Sequence, residues 1–197
     1  MTLVHLVRHG VHDQLQGRLC GRTPGILMGA AGLAEARRLA DHFGGHAKID
    51  AVFASPMERT VQTAEPIARA CGLPLTVEPA LIEIDFGAWN GRLFAELDTD
   101  ERWQRWNSER DQVRPPGGET MLEVQERLAR WLEALPAGGS AEVVAVSHAD
   151  VIKAAVALTL GLSLRAHDRF EIAPASISVL RVEPGRLRLI GLNGDCS

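Results

Sequence analysis

The chain has 197 residues and a formal net charge of -4, with 46% hydrophobic and 23% charged residues. That size suits one domain with a full core, and the acidic balance argues against a nucleic-acid or polyanion-surface partner. No stretch approaches the ~20 apolar residues of a membrane helix, and the N-terminus lacks the basic-then-apolar pattern of a signal peptide.

In chain order, residues 3–7 (LVHLV) are short, β-branched and mostly apolar, and predict a buried strand that ends in Arg8, His9 and Gly10. Residues 30–43 predict a helix whose apolar face carries Leu33, Ala36, Ala40 and Phe43. A second strand is expected at residues 50–55, and Pro56 opens a helix over 56–72. A third strand, LPLTVEPAL, leads into the irregular segment IEIDFGAWNG. Residues 94–118 are more polar, hold Trp103 and Trp106, and predict a helical and loop insertion over one face, with the two tryptophans as a packing stripe. Thr120 and Glu123 have capping-box spacing ahead of a helix that runs to about Leu135. AEVVAVSH then predicts an apolar strand, DVIKAAVALTLG a buried helix, and ASISVLRVEPGRLRLIGL two strands joined at residues 183–185. The alternation predicts a three-layer α/β/α fold with a mostly parallel central sheet, as a single domain over residues 1–197. Cys20, Cys71 and Cys196 are unclustered. They fit free thiols in a reducing compartment, so a cytoplasmic protein is expected.

Three strands end in the same chemistry. The first delivers Arg8 and His9, the second Ser55 with Arg59 in the next helix, and a later one Ser147 and His148. Ligands of open α/β sheets bind beyond the carboxyl ends of the strands, so these groups converge on one pocket. Two arginines, two histidines and adjacent helix N-termini favour a dianion such as phosphate. A neutral imidazole can attack phosphorus directly, provided the phosphoryl charge is neutralised and an acid protonates the leaving alkoxide. Glu83 and Asp85 are the candidate acids, and spacing alone does not choose between them. Gly10 is expected to let the backbone turn away close to the phosphate.

LVRHG, SPMERTVQTAE, LIEIDFGAWNG, PGGET and VSHAD occur here in one order, over roughly residues 3–150. In that order they resemble the histidine phosphatase (phosphoglycerate mutase-like) superfamily. The resemblance implies that His9 is the phosphorylated nucleophile and that Arg8, Arg59 and His148 bind the phosphoryl group. It also implies Glu83 as general acid and later base, Asp85 as a supporting residue, and no metal or other cofactor. The sequence agrees on the metal, since no carboxylate cluster stands near the histidines.

The chain departs from that family just after RHG, where Val11, His12, Asp13, Gln14 and Leu15 follow. The family's usual Thr and Asn places hold His12 and Leu15, and His12 is expected to be a solvated loop residue, with a substrate contact as the alternative. In GRLCGRTPG, Arg18 and Arg22 are candidates for a second substrate contact, Arg22 the better because Gly21 precedes it. The short chain lacks the long tail of the family's sugar-phosphate mutases. Hydrolysis of a small-molecule phosphate ester is therefore expected. Phosphoglycerate mutase-type transfer is the alternative, followed by a protein phosphohistidine phosphatase and a non-catalytic phosphate-binding module. A homodimer through the C-terminal strands is compatible with their pattern.

Overall fold

The computed structural model of the protein describes residues 1–45, 48–136 and 141–196. Its strands are β1 (Thr2–Arg8), β2 (Ala51–Ala54), β3 (Leu75–Val77), β4 (Ala141–Ser147), β5 (Ile177–Glu183) and β6 (Arg186–Gly194). Its α-helices are α1 (Ala30–Gly44), α2 (Glu58–Ala70), α3 (Phe94–Leu97), α4 (Glu101–Ser108), α5 (Met121–Ala134) and α6 (Ala149–Leu160). The strands form one six-stranded sheet in the order β3-β2-β4-β1-β5-β6. The β3–β2, β2–β4 and β4–β1 pairs are parallel, and β5 runs antiparallel to both β1 and β6.

Burial on both faces explains why the central strands are almost continuously apolar. In β4, Val143 and Ala145 pack into one cluster and Val144 and Val146 into the other. Leu39 and Phe43 of α1 and Ala64 and Ile67 of α2 cover one face. Val124 and Leu128 of α5 and Val151 and Ile152 of α6 cover the opposite face. The three-layer α/β/α expectation is borne out.

Two local expectations are corrected. The buried stripe of α1 is Gly32, Ala36, Leu39, Ala40 and Phe43, whereas Leu33 is 39% exposed. The first turn of α1 packs so closely on the preceding loop that a Cβ at Gly32 would lie 2.1 Å from the Val11 carbonyl oxygen. The third strand is only three residues long, because Pro79 opens a 3-10 turn, Pro79–Leu81. Proline has no N–H to continue a ladder.

Trp103 and Trp106 of α4 are buried against Phe86 and Trp89, with their own rings stacked at 5.3 Å. They are core, as their spacing predicted. Among the described residues no helix is long and apolar enough to cross a membrane.

Candidate active site

Sheet register brings the two histidine-bearing strand ends together. Arg8 pairs with Ser147 across β1 and β4, and the His9 amide donates to the Ser147 carbonyl at 3.0 Å. His9 and His148 therefore emerge side by side, with ring centroids 5.2 Å apart. Beside β4, β2 ends at Ala54, and Ser55 donates its amide to Val146. The helix that follows, α2, carries Arg59 in its first turn.

Arg59 links these strand ends. Its Nε donates to His9 Nε2 at 3.3 Å, and its Nη2 donates to the Gly21 carbonyl at 2.7 Å and to His148 Nδ1 at 3.1 Å. An arginine only donates, so both imidazole nitrogens present lone pairs to it. The other nitrogen of each ring then carries the proton. His9 Nδ1 donates to the Gly10 carbonyl at 2.8 Å, and His148 Nε2 donates to Ser55 Oγ at 2.8 Å. Burial, with Arg59 and Arg8 adding to it, holds His9 well below its usual pKa. Burial and Arg59 do the same to His148. Both are neutral imidazoles at physiological pH.

Arg8 donates from Nη1 to the Ile172 carbonyl at 2.5 Å. Buried Arg8 Nε and Arg59 Nη1 have no partner. Together with His9, His12, Glu83, Arg18, Cys20, Phe86, Phe94 and Asp150, the two arginines line a cavity of about 160 Å³. Buried unpaired donors on two guanidinium groups, Arg59 buried and Arg8 half-buried, make that cavity an anion site.

Glu83 is the only one of the two candidate carboxylates that lines it. Asp85 sits outside and accepts from the Gly87 amide and Asn90 Nδ2, both at 2.8 Å, which shapes the turn. Burial, reinforced by Asp150, pushes the Glu83 carboxyl from 4.5 up to about 7. At that value it exchanges a proton near neutrality, as a general acid and base must. Its Oε2 lies 3.9 Å from His148 Nδ1, and its Oε1 accepts from the Ile84 amide at 3.0 Å.

A carbonyl clamp holds the Glu83 segment in place. Arg127 Nη2 donates to the Ile82 carbonyl at 2.6 Å, and Arg22 Nε donates to the Glu83 carbonyl at 2.7 Å. Glu119 accepts from Arg127 Nε at 2.9 Å and from Arg22 Nη2 at 2.8 Å. Ser147 Oγ adds a bond to the Leu81 carbonyl at 2.7 Å. Arg22 is thus spent on this clamp and does not line the cavity, whereas Arg18 does. The clamp was missed in the sequence, although Arg127 interrupts the apolar stripe of Val124, Leu128 and Trp131.

His12 differs from its expectation as a solvated loop residue. It is 3% exposed, with its ring stacked 5.4 Å from that of His9 at an interplanar angle of 26°. Gly10 is also differently employed. It does not adopt a positive φ, and a Cβ there would lie 2.7 Å from Met28 Sδ and 2.8 Å from the Gly32 carbonyl. The close approach of α1 requires the glycine.

Residues 4–195 match the Histidine phosphatase superfamily (branch 1). The chain is 32% identical over 202 residues to phosphoserine phosphatase 1 of Hydrogenobacter thermophilus, covering 100% of this chain and 94% of that one. It is 35% identical over 186 residues to a probable phosphoglycerate mutase of Escherichia fergusonii, covering 90% and 84%. Among solved structures, a phosphoserine phosphatase from Entamoeba histolytica in complex with 3-phosphoglyceric acid superposes with a TM-score of 0.87 and 25% identity, over 98% of each chain. Matches of this extent cover the strand ends and the cavity alike, and the chain is a phosphatase belonging to branch 1 of the histidine phosphatase superfamily.

Proposed function

We propose that the protein is a metal-independent phosphomonoesterase that hydrolyses a small phosphorylated metabolite through a phosphohistidine intermediate on His9. One observation carries the reading. A neutral His9, its Nε2 a lone pair, lines the same cavity as two unpaired guanidinium donors and a carboxyl that titrates near 7. The Nε2 lone pair attacks phosphorus and the P–O ester bond breaks. Glu83 gives its proton to the departing alkoxide. In the second half, ionised Glu83 takes a proton from water, the hydroxide attacks phosphorus, and the P–N bond breaks to release inorganic phosphate. His9 Nδ1–H stays on the Gly10 carbonyl throughout, which fixes the ring. Arg8 and Arg59 bind the phosphoryl oxygens, with Arg59 moving its N–H from His9 Nε2 to the transferred group, while His148 accepts from Arg59 at Nδ1 and holds that guanidinium in place.

Phosphate release from p-nitrophenyl phosphate and a panel of metabolite phosphates, in excess chelator, tests this for wild type and His9→Ala. Wild-type turnover with a dead His9→Ala is the expected result, and a fully active mutant overturns the mechanism. The likeness to a probable phosphoglycerate mutase supports one second reading. Exchange between 3-phosphoglycerate and 2-phosphoglycerate much faster than phosphate release would establish it instead.

A further inference from the structure

His12 is a buried histidine in the cavity that this mechanism leaves unused. Its ring lies against the face of His9, close to parallel, and lines the cavity with Arg8 and Arg59. Its Nδ1 is buried without any partner. A buried polar atom left unpaired is costly, and such an atom in a native site calls for a ligand or a function. Packing alone would be served better by an apolar ring, which carries no orphan nitrogen.

The loop is built to hold this ring. The Gly10 amide donates to Thr63 Oγ1 at 3.1 Å and the Val11 amide to Glu35 Oε2 at 2.7 Å, so α2 and α1 each fix the backbone just ahead of it. The His12 carbonyl accepts from the Leu15 amide at 3.1 Å, which closes the turn behind it. The phosphoryl group that meets His9 Nε2 enters the cavity that the flanking ring also lines. We propose that His12 is a further substrate-contacting residue, its imidazole N–H donating to an oxygen of the phosphoryl group held between Arg8 and Arg59. This deepens the phosphatase reading and rests on it for the identity of the anion.

The charges around the ring suit that task. Burial together with Arg59 and Arg8 lowers its pKa to about 4, with Asp13 opposing them. The ring is therefore a neutral donor that adds no third positive charge to the free pocket. A bound dianion offsets the two guanidinium charges that depress it and strengthens the hydrogen bond.

The test is titration of inorganic phosphate by calorimetry, beside KM and kcat for p-nitrophenyl phosphate, on wild type, His12→Phe and His12→Asn. Phe keeps the flat ring on His9 and removes the donor, whereas Asn keeps a donor and removes the stack. Thermal melts check that both fold. A hydrogen bond to a charged group corresponds to roughly tenfold or more in affinity. His12→Phe is expected to weaken phosphate binding by at least about tenfold and to raise KM likewise. His12→Asn is expected to retain most of both. Phosphate affinity unchanged in His12→Phe overturns the proposal, as does equal impairment of the two folded variants, which marks a packing role. Wild type that binds phosphate but turns over no ester refutes hydrolysis alone, because the same titrations still judge His12. Wild type that binds no phosphate refutes both.

Discussion

A buried carboxyl that titrates near neutrality destabilises the fold that uses it, and Glu83→Gln separates the two effects. In the unfolded chain Glu83 loses its proton around pH 4.5, and in the native cavity only around pH 7. Between those values the native state binds more protons than the unfolded one, so stability falls as pH rises through that window. Above it the loss is complete. At ~1.4 kcal/mol per pH unit, it amounts to about 3 kcal/mol. Glutamine has no proton to lose, and its amide oxygen can still accept from the Ile84 amide as Glu83 Oε1 does at 3.0 Å.

Glu83→Gln is therefore expected to match wild type in stability at pH 4.5 and to exceed it by about 3 kcal/mol at pH 8. Its turnover is expected to fall by roughly 10²- to 10⁴-fold, the usual worth of a general acid–base group. Urea denaturation at the two pH values gives the first quantity, and phosphate release gives the second. A stability difference that does not change with pH refutes the claim that burial holds this carboxyl protonated. Retained turnover refutes its catalytic role.

Two further substitutions address the parts around it. Arg59→Lys replaces a fork that reaches His9, His148 and Gly21 with a single ammonium, and kcat/KM is expected to fall about 10²- to 10³-fold. Retention of more than a tenth of wild-type kcat/KM counts against a geometric role for the guanidinium. Glu119→Gln turns an amide N–H toward one of the clamp's two guanidinium groups. It is expected to cost about 2 kcal/mol of stability. It is also expected to lower kcat more than it raises KM, since the clamp orients Glu83 without lining the cavity. A variant with unchanged kcat shows that the segment keeps its position without the clamp.

The legible parts of the molecule are those whose cause is local. Apolar runs buried on both faces announced β1 and β4, and the residues one step beyond them, His9 and His148, meet because strands end where the sheet does, with His9 lining the cavity and His148 buried behind it against Arg59. The choice between Glu83 and Asp85 was not legible in spacing. It depends on a turn in which Gly87 takes a φ of 54° and a Cβ would lie 2.1 Å from the Pro116 carbonyl oxygen. His12 carries no periodic signal either. Its burial follows from the seating of α1 on the loop at Gly32, a contact between an unpatterned segment and a helix end. The clamp joins residues 22, 82, 83, 119 and 127, which meet only once the fold has formed. Arg22 looked like a substrate ligand because glycine-flanked arginines serve either purpose.

The acceptors chosen for the pocket arginines explain how this pocket keeps its charge. Among the described residues, Arg8 and Arg59 are bonded to carbonyls and neutral imidazoles and form no ion pair within 4.0 Å. The nearby Asp150 is paired instead with Arg110, whose guanidinium lies 3.9 Å over the Trp106 ring. A carboxylate bound to either pocket arginine would neutralise it and weaken its hold on phosphate. Carbonyls and imidazoles orient the guanidinium without cancelling its charge. With Glu83 protonated and His9, His12 and His148 neutral, the buried groups present two positive charges, the complement of a phosphate monoester dianion. Burial, with the same two charges adding to it, depresses the His9 pKa and keeps the Nε2 lone pair free. In the proposed mechanism one pair of arginines thus attracts the electrophile and helps burial keep the nucleophile unprotonated, which is why neither can be ion-paired.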